Sequence, residues 1–252
     1  MATLLVPLNL TPGAYAVCLR GLCGQDELSV EETNTAQVLA FLEPLILHDS
    51  KGNQLHSREI VTADRDRLIA HLYMSLYGSK VESTVTCRDC RQKFDLNFSL
   101  ADLLAHCIPS SAIKGDDGYY EASPGISFRF PNGEDELAIQ GLDTNSAIDL
   151  LVERCCAKGV TGANSQEIQA RMADMAPLLN QELTAVCPEC NCVQQVQFDM
   201  QTFFLARIYQ ERTTLLHEIH CIASTYHWSR EEILAIPRNQ RKQFAALIQS
   251  GN

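Results

Sequence analysis

Cys87-Arg88-Asp89-Cys90 and, one hundred positions further on, Cys187-Pro188-Glu189-Cys190 are the two stretches whose reading decides the fold. In a Cys-x-x-Cys knuckle one tight turn presents two thiolates to a single ion, so each stretch offers half of a tetrahedral four-sulfur site. The correspondence continues at the same offset: Thr84 with Thr184, Phe98 with Phe198, Leu100 with Met200, Leu103 with Phe203 and Leu104 with Phe204. Residues 81–86 and 94–98 read as strands flanking the first knuckle, and 184–186 and 193–198 as strands flanking the second. That is the shape of zinc-ribbon arms, and the repeat reads as a pseudo-twofold arrangement without implying a duplicated ancestor. The expected fold is therefore α+β, with helices around a composite zinc ribbon made of two Cys-x-x-Cys knuckles with short β-hairpins. Its cofactor would be one structural Zn2+ per chain on Cys87, Cys90, Cys187 and Cys190. A closed four-thiolate site leaves no open coordination position, so such an ion clamps the chain and does not activate water. Cys192, two residues past Cys190, is a spare thiol beside this set. A thioredoxin-like redox reading of the knuckles would need a βαβ setting, which the pattern lacks.

The chain has 252 residues, 46% hydrophobic and 20% charged, enough to bury a substantial core. It reads as a single composite domain over 1–252. The first knuckle half covers about 1–109, a linker about 110–125, and the second knuckle half with the C-terminal helices about 126–252. No apolar run approaches the roughly 20 residues of a membrane helix, and the start lacks an export-signal pattern. Eleven cysteines in such a chain point to a reducing, cytoplasmic setting. Outside the knuckles and Cys192, the cysteines at 18, 23, 107, 155, 156 and 221 sit among apolar neighbours, as small core residues do. A net charge of -11, from 20 basic and 31 acidic side chains, argues against a broad nucleic-acid surface.

Around the knuckles the pattern predicts a strand over 15–20, a helix over 33–47 and a loop at Lys51-Gly52-Asn53. A helix follows Thr62 as its cap and ends at Gly78, with Leu68, Ile69, Leu72, Tyr73 and Leu76 as its apolar stripe. A short helix opens at Ser99. A strand over 126–130 runs into an Asn132-Gly133 turn, with 137–139 as the returning strand. Asp143 caps a helix ending near Gly159, and Ser165 opens another that Pro177 limits. One long helix is predicted from 201 to about 225, then a capping box at Ser229 and a final helix with Pro237 in its first turn.

Two further constellations carry candidate chemistry. His217-Glu218-Ile219-His220 approaches a zinc-hydrolase pattern, but the second histidine comes one residue early for the i, i+4 pairing that chemistry needs. Tyr226, His227 and the lone Trp228, followed by Arg238 and Arg241, read either as a core plug or as a partner-binding surface, since Trp, Tyr and Arg dominate interface hot spots. No nucleophile elbow, phosphate loop or dinucleotide glycine pattern is present, so the expectation is that the protein is not an enzyme.

Several segments in order resemble a known family: Leu-Arg-Gly-Leu-Cys-Gly-Gln-Asp-Glu (19–27), Thr-Ala-Asp-Arg-Asp-Arg-Leu (62–68), Phe-Arg-Phe-Pro-Asn-Gly-Glu-Asp (128–135), Tyr-His-Trp-Ser-Arg-Glu-Glu-Ile-Leu (226–234) and Ile-Pro-Arg-Asn-Gln-Arg (236–241), with both knuckles between. The chain is similar, over nearly its whole length, to the baseplate hub assembly proteins of T-even type contractile phages and of extracellular contractile injection systems. The resemblance implies a non-enzymatic structural or assembly role in the baseplate hub. It implies baseplate hub and spike proteins as partners, with the tape-measure protein as a further candidate; the charge balance and the lack of a long apolar run lead to the expectation of no nucleic acid and no membrane span. The family's cysteine pairs fall on Cys87, Cys90, Cys187 and Cys190, and its aromatic and basic tail on His227, Trp228, Arg238 and Arg241. Cys192, and Phe130 where a leucine is associated with the family, depart from its pattern. The alternative is a zinc-ribbon regulatory protein contacting nucleic acid or another protein, which would call for a basic face.

Overall fold

The computed structural model describes residues 3–109, 119–123, 125–156 and 165–250. In chain order the elements are strands β1 (Thr3–Pro7) and β2 (Ala16–Arg20), helices α1 (Gly24–Leu28) and α2 (Thr35–Leu42), strand β3 (Ile46–Asp49), helix α3 (Thr62–Tyr77), strands β4 (Lys80–Thr86) and β5 (Lys93–Ser99), and helix α4 (Leu100–His106). Then come strands β6 (Tyr120–Ser123) and β7 (Ile126–Phe128) and helices α5 (Gly133–Ala138), α6 (Thr144–Cys155) and α7 (Ser165–Met175). Strands β8 (Asn180–Val186) and β9 (Val193–Asp199) lead into helices α8 (Met200–Gln210), α9 (Arg212–Tyr226), α10 (Arg230–Ala235) and α11 (Arg238–Ser250).

The contacts divide the chain into two compact units, Met1–Pro7 with Ala14–Ser57 and Gln201–Asn252, and Leu8–Gly13 with Arg58–Met200. Both knuckles fall in one unit, and the early strands join the C-terminal helices in the other. Residues 110–118 and 124 of the expected linker lie outside the described residues, and 120–123 form a strand.

In the unit built from the chain's two ends, β1, β2 and β3 form an antiparallel sheet with β2 in the centre. Val6, Val17 and Leu19 alternate inward from it, as a half-buried sheet requires. The helix expected over 33–47 stops at Leu42. Pro44 has no N–H for a continuing ladder, so a single 3-10 turn (Glu43–Leu45) delivers the chain into β3. The long helix expected over 201–225 is broken at Glu211, whose N–H is shared between the Arg207 and Ile208 carbonyls at 3.3 and 3.2 Å. The second segment buries Leu215, Ile219 and Ile222 against Ile233 of α10, with Leu28 and Phe244 packed alongside.

In the other unit α3 is enclosed on nearly every side, and each residue from Thr62 to Ala70 is buried. Val61, not Thr62, holds the cap position, and the Thr62 hydroxyl instead donates to the Pro131 carbonyl at 3.2 Å. Asn132-Gly133 begins α5 and is not a hairpin turn. Asn132 Oδ1 accepts the N–H groups of Glu134 and Asp135, and the Asp135 carboxylate accepts that of Asn132. This reciprocal capping box satisfies donors that a returning strand would have paired, so Leu137 and Ala138 lie in the helix and Ile139 caps its end. β7 pairs backward with β6. Asp143 caps α6 as expected; that helix ends at Cys155, and Gly159 lies outside the described residues.

Candidate metal centre

The two knuckles are built the same way. β4 pairs with β5 from Lys80↔Ser99 to Thr86↔Lys93, and β8 with β9 from Asn180↔Asp199 to Val186↔Val193, the same register at the repeat offset. At the first tip Cys87 N–H donates to Gln92 O (2.9 Å) and Arg91 N–H to Cys87 O (3.1 Å). At the second, Cys187 N–H donates to Cys192 O and Asn191 N–H to Cys187 O, both at 2.9 Å. Arg91 (φ 63) and Asn191 (φ 57) take the left-handed conformation that closes each turn, an uncommon one for residues other than glycine. Behind the strands Leu100 N–H reaches Ser79 O (2.8 Å) and Met200 N–H reaches Leu179 O (3.1 Å), again equivalent positions. Phe98 and Phe198 meet each other edge to face at 4.9 Å, so the repeated residues lie across the pseudo-twofold relation from one another.

This arrangement brings the four predicted sulfurs together. Cys87 Sγ lies 3.6 Å from Cys190 Sγ and Cys90 Sγ 3.7 Å from Cys187 Sγ. All four fall within 4.8 Å of one another. A tetrahedral ion with metal–sulfur bonds of about 2.3 Å needs sulfur–sulfur edges of about 3.8 Å, so the spacing fits one ion. A donor set of sulfur alone selects zinc or an iron–sulfur centre over hard cations. Cys87 and Cys187 are buried, Cys90 and Cys190 partly so, within a collar that includes Phe94, Ala185, Val85, Leu96 and Val196. The Cys90 backbone N–H, helped by that of Asp89, holds the Cys87 thiol down at about 6 despite its burial. At Cys190 the Cys192 N–H pulls down, but burial and the three neighbouring thiols push the value up to about 12. Four sulfurs this close would repel one another as thiolates, and a bound cation would offset that repulsion. The Cys192 thiol turns to the Val193 carbonyl at 3.8 Å and is not among the four converging sulfurs.

The other candidate residues separate. Arg238 and Arg241 are 3% and 0% exposed. Arg238 pairs with Glu27 and Glu211. Arg241 reaches Glu27 Oε1 at 2.7 Å and Glu218 Oε2 at 2.8 Å. This corrects their reading as docking residues: the guanidiniums turn into the unit because three glutamates converge there, and buried charges persist only when paired. Gly24 makes room for them, since a Cβ at that position would lie 2.9 Å from Arg241 Nη1 and 2.8 Å from Leu234 Cδ2. Tyr226, His227 and Trp228 remain at the surface where α9 ends. Trp228 stacks on Tyr226 (5.1 Å) and meets Phe244 edge-on (5.4 Å), with 37% of its surface exposed. Among the described residues neither His217 nor His220 belongs to a converging metal-ligand group; His217 Nε2 lies 3.5 Å from Cys221 Sγ and 3.4 Å from Gln249 Nε2.

Sequence reasoning missed a second cluster, the four consecutive charged residues near the start of α3. Asp64 accepts the N–H groups of Asn9, Leu10 and Thr11 at 3.0, 2.9 and 2.7 Å and the Thr11 hydroxyl at 2.8 Å. Arg65 pairs with Glu136. Asp66 accepts Leu179 N–H at 3.0 Å. Arg67 donates to the carbonyls of Ala63, Pro177 and Cys107. Four successive helical residues point almost all the way round the axis, so a charged run with apolar residues directly after it cannot keep every charge on one wet face. That was the available signal. Asp135 is held the same way by Arg129 at 2.6 Å and Arg154 at 2.8 Å.

With this geometry in place, comparison with known families adds the decisive observation: the family model for T4 bacteriophage base plate protein matches residues 32–165, just over half of the chain. The chain belongs to this family. No curated protein and no solved structure matches it. The matched stretch of this baseplate protein takes in the first knuckle and the charged quartet of α3, and it closes on the first residue of α7, ahead of the second knuckle. Among the described residues no helix is long and apolar enough to cross a membrane.

Proposed function

We propose that this baseplate protein is a non-enzymatic structural or assembly component of the baseplate hub of a contractile phage tail or contractile injection system. Its knuckle hairpins would be locked together by one structural Zn2+ on Cys87, Cys90, Cys187 and Cys190. The observation that carries the reading is the family match; the convergence of four sulfurs from two distant hairpins supports the zinc clamp. The ion would contribute folding energy and fixed geometry to a part that must hold one shape in a larger assembly. Hub and spike proteins are the proposed partners, with the tape-measure protein a further candidate. Tyr226, His227 and Trp228 are the proposed contact, since two aromatic rings stacked at the surface offer large area at small entropic cost.

The test is to follow the tagged chain through a density gradient of lysate from cells producing tail-like particles, identify co-sedimenting proteins by mass spectrometry, and measure zinc per purified chain. A hub component travels with assembled particles at fixed copy number. An assembly factor stays in a light fraction with unassembled hub or spike protein. A chain found with neither, or bound to DNA, sinks the reading.

A further inference from the structure

We infer that Gln194 is a metal-independent latch between the two knuckles, positioning the four thiols before the ion arrives. The inference rests on the zinc reading above for its consequence, but not for the contact itself. Gln194 sits on β9 and is only 5% exposed. Its Oε1 accepts the Arg88 N–H at 2.9 Å, and its Nε2 donates to the Thr86 carbonyl at 3.3 Å. Both ends of one amide thus grip the residues on either side of Cys87. A third tie runs beside them, from the Arg88 guanidinium to the Val193 carbonyl at 3.0 Å.

The pseudo-twofold repeat shows why this residue is a glutamine. The position equivalent to Gln194 in the other arm is Phe94, and the position equivalent to Arg88 is Pro188. Proline has no N–H to satisfy, so the Phe94 position faces no such donor and an apolar ring serves there. Arg88 does have one, and the residue equivalent to that ring is an amide whose oxygen accepts it. The two departures from the repeat compensate each other. A buried amide is stable only with its donor and acceptor engaged, and here both are engaged across the arms.

A latch of this kind lowers the ordering cost that metal binding would otherwise carry, because the knuckles need not be brought together by the ion. Groups that orient ligands without touching the metal typically change its affinity by about 10- to 100-fold when removed. The test titrates zinc-loaded protein with a chromogenic chelator for wild type, Gln194→Leu, Gln194→Glu, the exposed neighbour Gln195→Ala, and Cys90→Ser. In parallel, NMR follows amide exchange at Arg88 in metal-free protein. Gln194→Leu is expected to melt cooperatively and bind one zinc about 10- to 100-fold more weakly, with a rapidly exchanging Arg88 amide. Gln194→Glu, which keeps the acceptor and loses the donor, should fall between it and wild type, and carries the test if the leucine variant does not fold. Gln195→Ala should be unchanged.

If both Gln194 variants hold zinc as tightly as wild type while Cys90→Ser loses it, the latch is overturned and the zinc reading stands. Wild-type protein that binds no zinc overturns the zinc reading and, with it, the positioning role. Fast exchange at Arg88 in the metal-free wild type overturns the latch whatever the zinc result.

Discussion

A carboxylate buried beside a single backbone donor is costly to ionise, and Asp66 is in that position. Burial pushes its carboxyl up to about 7 against the opposing pull of Arg65 and the Leu179 N–H, with Asp199 and Glu136 adding to the rise. The folded chain therefore binds this proton more tightly than the unfolded chain. Below about pH 4 both states are protonated and the stabilising contribution is whole. Between about 4 and 7 the unfolded chain ionises first and the contribution is lost, so stability from this group falls as pH rises, by on the order of 4 kcal/mol in all. Asp66→Asn keeps an oxygen for Leu179 N–H and removes the titration. Urea unfolding at pH 5 and pH 8 should show the wild type losing stability relative to the variant at the higher pH; parallel curves would mean that Asp66 titrates normally. Cys90→Ser belongs to the same scale. With a thiolate replaced by a hydroxyl the four-sulfur set is incomplete, and zinc per chain should fall below one with a Tm drop of about 10 °C or more. Full zinc occupancy at an unchanged Tm would show that the two knuckles do not share an ion.

At the scale of elements, the segments that most resembled a family turn out to be polar joints inside each unit. Residues 19–27 and 236–241 meet through Glu27, Arg238 and Arg241 and through the Arg238 N–H on the Leu22 carbonyl at 2.8 Å. Residues 62–68 and 128–135 meet through the Thr62 N–H on the Pro131 carbonyl at 3.0 Å. Arg241→Ala should destabilise the chain by about 3–5 kcal/mol in chemical denaturation, because Glu218 and Glu27 would lose a buried counter-charge. Gly24→Ala, which places a methyl against Arg241 and Leu234, should cost about 1–3 kcal/mol. Near-wild-type stability in both variants would mean that these glutamates and arginines are hydrated and independent. The knuckles, their flanking hairpins and the caps at Ser99, Asp143 and Ser229 were legible because each depends on residues a few positions apart. The pairing of Glu27 with Arg238 was not, since partners separated by most of the chain leave no local periodicity, and two arginines beside aromatics look like surface charge. Asn132-Gly133 misled for another reason: the same dipeptide suits a tight turn and a helix start, and Asp135, three residues on, decides between them through the capping box.

At the scale of the molecule, the family match ends before the second knuckle, so the matched stretch holds only Cys87 and Cys90 of the four converging thiols. It cannot complete the four-sulfur set alone, so a clamp on that set would need the longer chain. Once Arg238 and Arg241 are assigned to the interior, the tail's remaining candidate for partner capture is the aromatic step at the end of α9. His227 takes the left-handed conformation there (φ 58) and caps the helix, leaving Tyr226 and Trp228 stacked at the surface. A ring held on two sides and open on the rest suits a binding hot spot, because its conformation is fixed before a partner arrives. Trp228→Ala should therefore shift Tm by only a few degrees while weakening capture of the proposed hub or spike partner by about 30-fold, the loss expected when a hot-spot side chain worth about 2 kcal/mol is truncated. Arg241→Ala provides the contrast: any capture it loses should track its unfolded fraction and recover at lower temperature. If Trp228→Ala behaves like Arg241→Ala, with capture following stability, the ring is part of the core of its unit and the partner surface lies elsewhere. A selective loss of capture from a chain that still folds would place the contact at the aromatic step itself.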